Sequence, residues 1–237
     1  MCIRDRYKAL DFANNGTAAV YENGAANSTV TVAKGVTTKD LAKYKGATIE
    51  AYDTNDDGVG DRLVVCYPYV AQVTKVTAAT ASADRKVTLT VWSGDDGAPV
   101  TGVTYETEDF AKDDYVLVYL NGTMATTEAM TNATMGANIL KVEAAPVLTG
   151  KISTVSGTNG SAVTALTVNG TKYTLAGDKM ATNGLTDANK LVKASSFGFN
   201  SNYTLILSNG YVVAAEGESV ATEISNIVYV TAASFQT

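Results

Sequence analysis

Residues 53–61 read DTNDDGVGD, the segment of this 237-residue chain best suited to hold a cation. Asp53, Asn55, Asp57 and Gly58 fall at positions 1, 3, 5 and 6 of an EF-hand-like calcium loop, and Asp61 at position 9. Position 12 is Val64, where such a loop places a bidentate glutamate. The flanks TIEAY and RLVVCY have the composition of strands, whereas an EF-hand needs helices. Calcium held here has about four side-chain ligands, which implies a weak site in the range of about 10⁻⁴ to 10⁻³ M. The competing reading is a β-hairpin turn, with Asp and Asn side chains capping backbone amides and Gly58 and Gly60 at positive φ. Crowding four aspartates without a cation costs repulsion, which keeps the calcium reading in play. Either way the segment serves to hold shape rather than to catalyse.

No other group of residues forms a reactive centre. The carboxylate pairs Asp95/Asp96, Asp113/Asp114 and Glu106/Glu108 lie beside turn residues or at strand ends. A glycosidase needs two carboxyl groups facing each other across a cleft at about 5–9.5 Å, which adjacency does not supply. Histidine is absent, and with it the commonest general base and zinc ligand. No G-x-S-x-G elbow is present, so no hydrolase triad is legible, although a Ser–Lys dyad stays open. GVG at 58–60 lacks the strand–helix setting of a phosphate loop. Trp92, Tyr67, Tyr69, Tyr105, Tyr115 and Tyr119 could build a sugar platform or pack half-buried in strands. The expectation is therefore no catalytic residue and no cofactor beyond weak calcium.

Composition narrows the partners. Hydrophobic residues make up 46%, enough for packed cores, and no apolar run approaches the ~18 residues of a membrane-spanning helix. The net charge is −6 with no Lys/Arg cluster, which argues against nucleic acid. Cysteine occurs only at Cys2 and Cys66, so a disulfide framework is excluded. Cys66, inside RLVVCY, is expected as a small buried hydrophobe. An acidic, Thr-rich, Cys-poor balance suits extracellular β modules of bacteria.

The elements that must position these residues are strands almost throughout. STVTV (28–32), ATIEAY (47–52), RLVVCY (62–67), AQVTKV (71–76), KVTLTVW (86–92), YVLVYL (115–120), GKISTV (150–155), VTALTV (163–168), TKYTL (171–175), YTLIL (203–207) and YVVAAE (211–216) are rich in Val, Ile, Thr and Tyr. Asn-Gly at 121–122, 169–170 and 209–210 and Asp-Asp-Gly at 56–58 and 95–97 predict hairpin turns. Short helices are predicted in 37–46 and 185–196, and 123–138 reads as loop with at most a helical turn. The fold class is all-β, in tandem small antiparallel modules that are barrel- or sandwich-like.

Two stretches repeat in order. AQVTKV answers GKISTV, VTLTV (87–91) answers VTALTV, Tyr105 answers Tyr173, and FAKDDYVLVYLNG (110–122) answers FNSNYTLILSNG (199–210). Residues 69–145 and 146–220 are thus expected to be related modules. They follow a partial first module at 7–68, and 221–237 starts a further copy or a linker. Residues 1–6, MCIRDR, resemble translated sequencing-adapter sequence and are read as foreign to the fold, with the chain a fragment. Tandem β modules reach outward and present similar surfaces repeatedly, which suits scaffolds, adhesins and coats.

DLAKYKGATIEAYDTNDDGVGDRLVV, the AQVTKV strand start, FAKDDYVLVYLNG and GKISTV…LTVNGTKYTL…YTLILSNGYVVAAEG resemble the β-repeat region of clostridial cell-surface proteins carrying S-layer homology (SLH) domains. The likeness covers most of 28–237. It implies an exported protein of the bacterial surface layer or cell wall, with structural repeats and no catalytic residues. The partners implied are further copies, neighbouring surface proteins, and cell-wall glycan through domains outside this piece. The F-x-D-V…W-A anchoring pattern of the family is absent here. An adhesin or carbohydrate-binding module, or the accessory region of a wall-active hydrolase, is the alternative reading.

Overall fold

The computed structural model describes residues 11–12, 18–32, 42–54, 59–60, 62–92, 99–122, 131–181 and 192–217. The chain is all-β. In chain order, β1 (Asp11–Phe12), β2 (Ala18–Glu22), β3 (Ala25–Val32), β4 (Thr48–Tyr52), β5 (Val59–Gly60) and β6 (Arg62–Cys66) precede Pro68. Four of them form a sheet in the order β3-β2-β6-β4, in which only the central β2–β6 pair is parallel. Next come β7 (Tyr69–Thr77), β8 (Lys86–Trp92), β9 (Val100–Glu106), β10 (Tyr115–Leu120), the helix α1 (Asn132–Ala137) and β11 (Ile139–Ala144). The last group is β12 (Val147–Thr158), β13 (Ala162–Val168), β14 (Thr171–Thr174), β15 (Asn202–Ser208) and β16 (Tyr211–Gly217).

The second and third sheets share one topology. Their strand orders, β11-β10-β7-β8-β9 and β16-β15-β12-β13-β14, are the same when each group is counted from its own first strand. The matched sequence segments occupy equivalent strands: AQVTKV and GKISTV lie in β7 and β12, and YVLVYL and YTLIL in β10 and β15. Alternation explains the pattern locally. In β8, Val87, Leu89 and Val91 are buried, while the residues between them are only half-buried. In β10, Val116, Leu117 and Val118 are buried in succession, because this inner strand is covered on both faces.

The third sheet bends on its first strand. Val147–Lys151 of β12 pair with β15, whereas Ile152–Thr158 pair with β13. A parallel bridge between Leu175 and Val212, with Ala176 N–H donating to the Val212 carbonyl at 2.8 Å, joins the two ends of the sheet. The result is a small barrel closed by one contact, which covers edges that would otherwise lie open. In the second sheet α1 packs against β9 instead.

Asn-Gly pairs make three hairpin turns. Both residues are left-handed at Asn23–Gly24 (φ 48° and 85°), Asn169–Gly170 (51° and 79°) and Asn209–Gly210 (49° and 80°), as a type I′ turn requires. The first of these was not singled out from sequence. At 121–122 only Gly122 is left-handed, and β10 pairs with β11 across the intervening helix rather than through a two-residue turn. Strands β2, β9 and β11 were also missed, as were the two-residue strands β1 and β5. A glycine at φ 77° (Gly102) breaks the alternation of β9.

Residues 37–41 and 185–191 of the two predicted helical stretches lie outside the described residues. Within 37–46 the described part holds a 3-10 turn at Ala42–Tyr44, and within 185–196 a 3-10 turn at Val192–Ala194. The one α-helix among the described residues lies in the ambiguous 123–138 stretch. It starts where the Thr131 hydroxyl accepts from Thr134 N–H at 3.2 Å. Cys66 corrects the reading of its strand: Leu63 and Val65 face the core, so Arg62 and Cys66, on the opposite parity, are exposed.

The three sheets do not hang separately along the chain. One apolar core draws Val20, Tyr44 and Leu63 from the first unit, Val73 and Leu89 from the second, and Ile206 and Val213 from the third. The third sheet adds a core of its own around Ile152, Leu166 and Leu205. Backbone bonds stitch the first unit to the others: Gly122 N–H to Asn23 O at 2.6 Å, Gly177 N–H to Lys45 O at 2.8 Å, and Lys179 N–H to Lys43 O at 3.0 Å. The Asn209 amide also donates to Gly46 O at 2.8 Å. A Cβ at Gly177 would overlap the carbonyl oxygens of Ala42 and Lys43, so this contact needs glycine.

Candidate functional site

Strands β4 and β6 pair antiparallel with Tyr52 opposite Arg62, so residues 53–61 connect two neighbouring strands. The connection is longer than a two-residue turn, and Val59–Gly60 within it pair in parallel with Asp11–Phe12. Asp53 is half-buried and already engaged with other groups. Asn55, Asp57 and Asp61 lie outside the described residues, as does Gly58. Among the described residues no group of three or more Cys, Asp or Glu side chains is placed to hold a metal.

The Asp113/Asp114 pair is occupied by turn chemistry. Asp113 is left-handed (φ 74°) and pairs with Lys112 at 2.9 Å, while Asp114 accepts from Ala111 N–H at 2.7 Å. Arg85 organises the loop that contains Glu108, donating to the carbonyls of Thr107 (2.7 Å), Asp109 (2.6 Å) and Phe110. Asp95 and Asp96 lie outside the described residues.

The six aromatic side chains do not assemble into one platform. Tyr67 and Tyr69 are buried edge-to-face, with ring centroids 5.6 Å apart. Tyr119 donates to Glu143 at 2.7 Å, and Tyr115 donates to Glu216 of the third sheet. Trp92 is half-buried against the core. Tyr105 lies beside a groove.

Sequence reasoning missed the most deeply buried charged group among the described residues, Glu22, which is 1% exposed at the end of β2. Tyr44 donates to one of its oxygens and Tyr67 to the other at 3.0 Å. Neighbouring Asn23 is held at both ends of its amide by the backbone of Tyr67: its Nδ2 donates to the carbonyl at 3.1 Å, and its Oδ1 accepts from the N–H at 2.9 Å. Burial above all, then the Tyr69 phenol and the Glu22 carboxylate, push the Tyr67 hydroxyl far above its ordinary range. A carboxylate gripped by phenols inside a core braces the first unit from within and offers no nucleophile to solvent. The only sequence signal was a glutamate directly before an Asn-Gly turn.

The other tyrosines follow the same physics. Burial first, then the bond to Glu216, raises Tyr115; burial and the bond to Glu143 raise Tyr119. Glu143 is itself held below the usual carboxylate value, chiefly by Lys141. Exposed Cys66 has its thiol raised by desolvation, with the Glu50 carboxylate adding to the effect.

A groove of about 520 Å³ lies between β9 and α1. Tyr105, Lys86, Glu106, Thr104 and Asn132 contribute its polar groups, and α1 contributes small residues including Gly136. No family model, curated protein or solved structure matches this chain.

Proposed function

We propose that this chain is a non-catalytic structural segment of an extracellular bacterial surface-layer or cell-wall-associated protein, working through self-association or contact with neighbouring surface proteins. The observation that carries the reading is the repetition of one five-strand order in two sheets, both docked on the first unit. The carboxylates of Asp114, Glu22 and Glu216 are committed to a turn, to a buried cluster and to a bond between units. The likeness to clostridial SLH-protein repeats supplies the location and the mode of assembly. Weak calcium at Asp53, Asn55, Asp57 and Asp61 belongs to the same proposal, as a stiffener of the β4–β6 connection.

The test is assembly of the purified chain on wall fragments, followed by sedimentation and electron microscopy. Ordered sheets or saturable co-sedimentation are expected. A strictly monomeric chain that ignores wall material would overturn the proposal, as would release of soluble fragments from peptidoglycan. For calcium, a thermal midpoint that is the same in millimolar calcium and in chelator removes that part alone.

A further inference from the structure

We propose that the groove between β9 and α1 is a binding site for a neutral oligosaccharide. Its volume of about 520 Å³ falls in the range of about 300–1,000 Å³ typical of small-ligand sites. Lys86 and Glu106 are cross-strand partners in the β8–β9 register, yet neither forms an ion pair with another described residue. The hydroxyls of Thr104 and Tyr105 likewise bond no other described side chain. The groove therefore presents both a strong donor and a strong acceptor whose bonding capacity is unspent.

One cation and one anion at the same groove disfavour a ligand carrying a single net charge, because either sign meets a like charge. A polyhydroxylated ligand satisfies both, since each hydroxyl donates and accepts. The α1 wall suits such a ligand too. Ala133, Gly136 and Ala137 keep the side chains on it small. Saccharide rings alternate C–H faces with hydroxyl edges, and so match an apolar wall of small residues bounded by polar groups. Gly136 permits the close approach of α1 to β9, since a Cβ there would lie 3.2 Å from the Thr104 carbonyl oxygen.

The experiment is an amide NMR titration of the full chain with cellotetraose and chitotetraose, with diglycine as a zwitterionic comparator. Saturable shifts centred on Thr104, Glu106 and Gly136 are expected for at least one saccharide. Glu106→Gln and Lys86→Gln should each weaken binding about tenfold, the loss of one charge-assisted hydrogen bond, while leaving the spectrum otherwise folded. Absence of saturable binding to both saccharides overturns the proposal, as do shifts centred elsewhere or tighter binding of diglycine. None of these outcomes bears on assembly at the cell surface, which is read by co-sedimentation.

Discussion

Tyr115 donates its phenolic hydrogen to the Glu216 carboxylate, 101 residues further along the chain. The bond ties β10 of the second sheet to β16 of the third. Its repeat counterpart, Tyr203, stays within its own unit, where its oxygen accepts from Gly198 N–H at 2.9 Å. Equivalent tyrosines thus do different work, one between units and one inside. Tyr115→Phe should lower stability by about 1–2 kcal/mol, read as a shift in urea midpoint. Tyr203→Phe removes a bond to an exposed amide and should cost less.

The Glu22 cluster should be the costliest polar site to break. Glu22→Ala removes the buried acceptor that Tyr44 and Tyr67 share and should cost about 3 kcal/mol or more. Glu22→Gln preserves the shape and should cost less. Denaturant titration of the two variants checks the order, and equal losses would show that the phenols find other partners.

Gly177→Ala places a methyl group against the Ala42 and Lys43 carbonyls and breaks the stitch between the first and third units. A loss of about 1–3 kcal/mol is expected, with faster amide exchange at Gly177 and Lys179. An unchanged midpoint would mean that the two units are not packed as described.

Alkaline pH should unfold the chain. Tyr67, Tyr115 and Tyr119 all have folded-state values raised above the unfolded value of about 10. Above that pH the unfolded chain binds fewer protons than the folded one, so stability falls as pH rises. Their contribution is fully present below about pH 10 and is lost progressively above it. Glu143 acts in the opposite sense: its lowered value adds stability above the carboxylate range that is lost on acidification. Thermal midpoints measured from neutral pH upward, beside the Tyr67→Phe variant, test the alkaline arm.

Much of the strand framework was legible because period-2 alternation and Asn-Gly turns are local signals. KVTLTVW and YVLVYL became β8 and β10 with the predicted bounds, and Asn169–Gly170 and Asn209–Gly210 took the conformations their residue types favour. β9 was illegible because Gly102 interrupts its alternation. Cys66 was misread because the parity of RLVVC is decided by which face meets the core, and four apolar or neutral residues in a row do not announce it. Tyr105 was singled out for a platform, but the groove beside it needs α1, from a stretch with no clear period.

By itself, then, the sequence determined an all-β chain with a repeated strand pattern, no histidine chemistry and an acidic connection at 53–61. Those properties depend on residue type and near spacing, which hydrogen bonding and side-chain alternation convert directly into strands and turns. Only the tertiary structure decided that three sheets share a core, that Glu22 is buried beneath two phenols, and that Tyr115 reaches Glu216. Each of these joins residues far apart in sequence, and such partners are chosen by packing and by the need to satisfy buried polar groups, which no local pattern encodes.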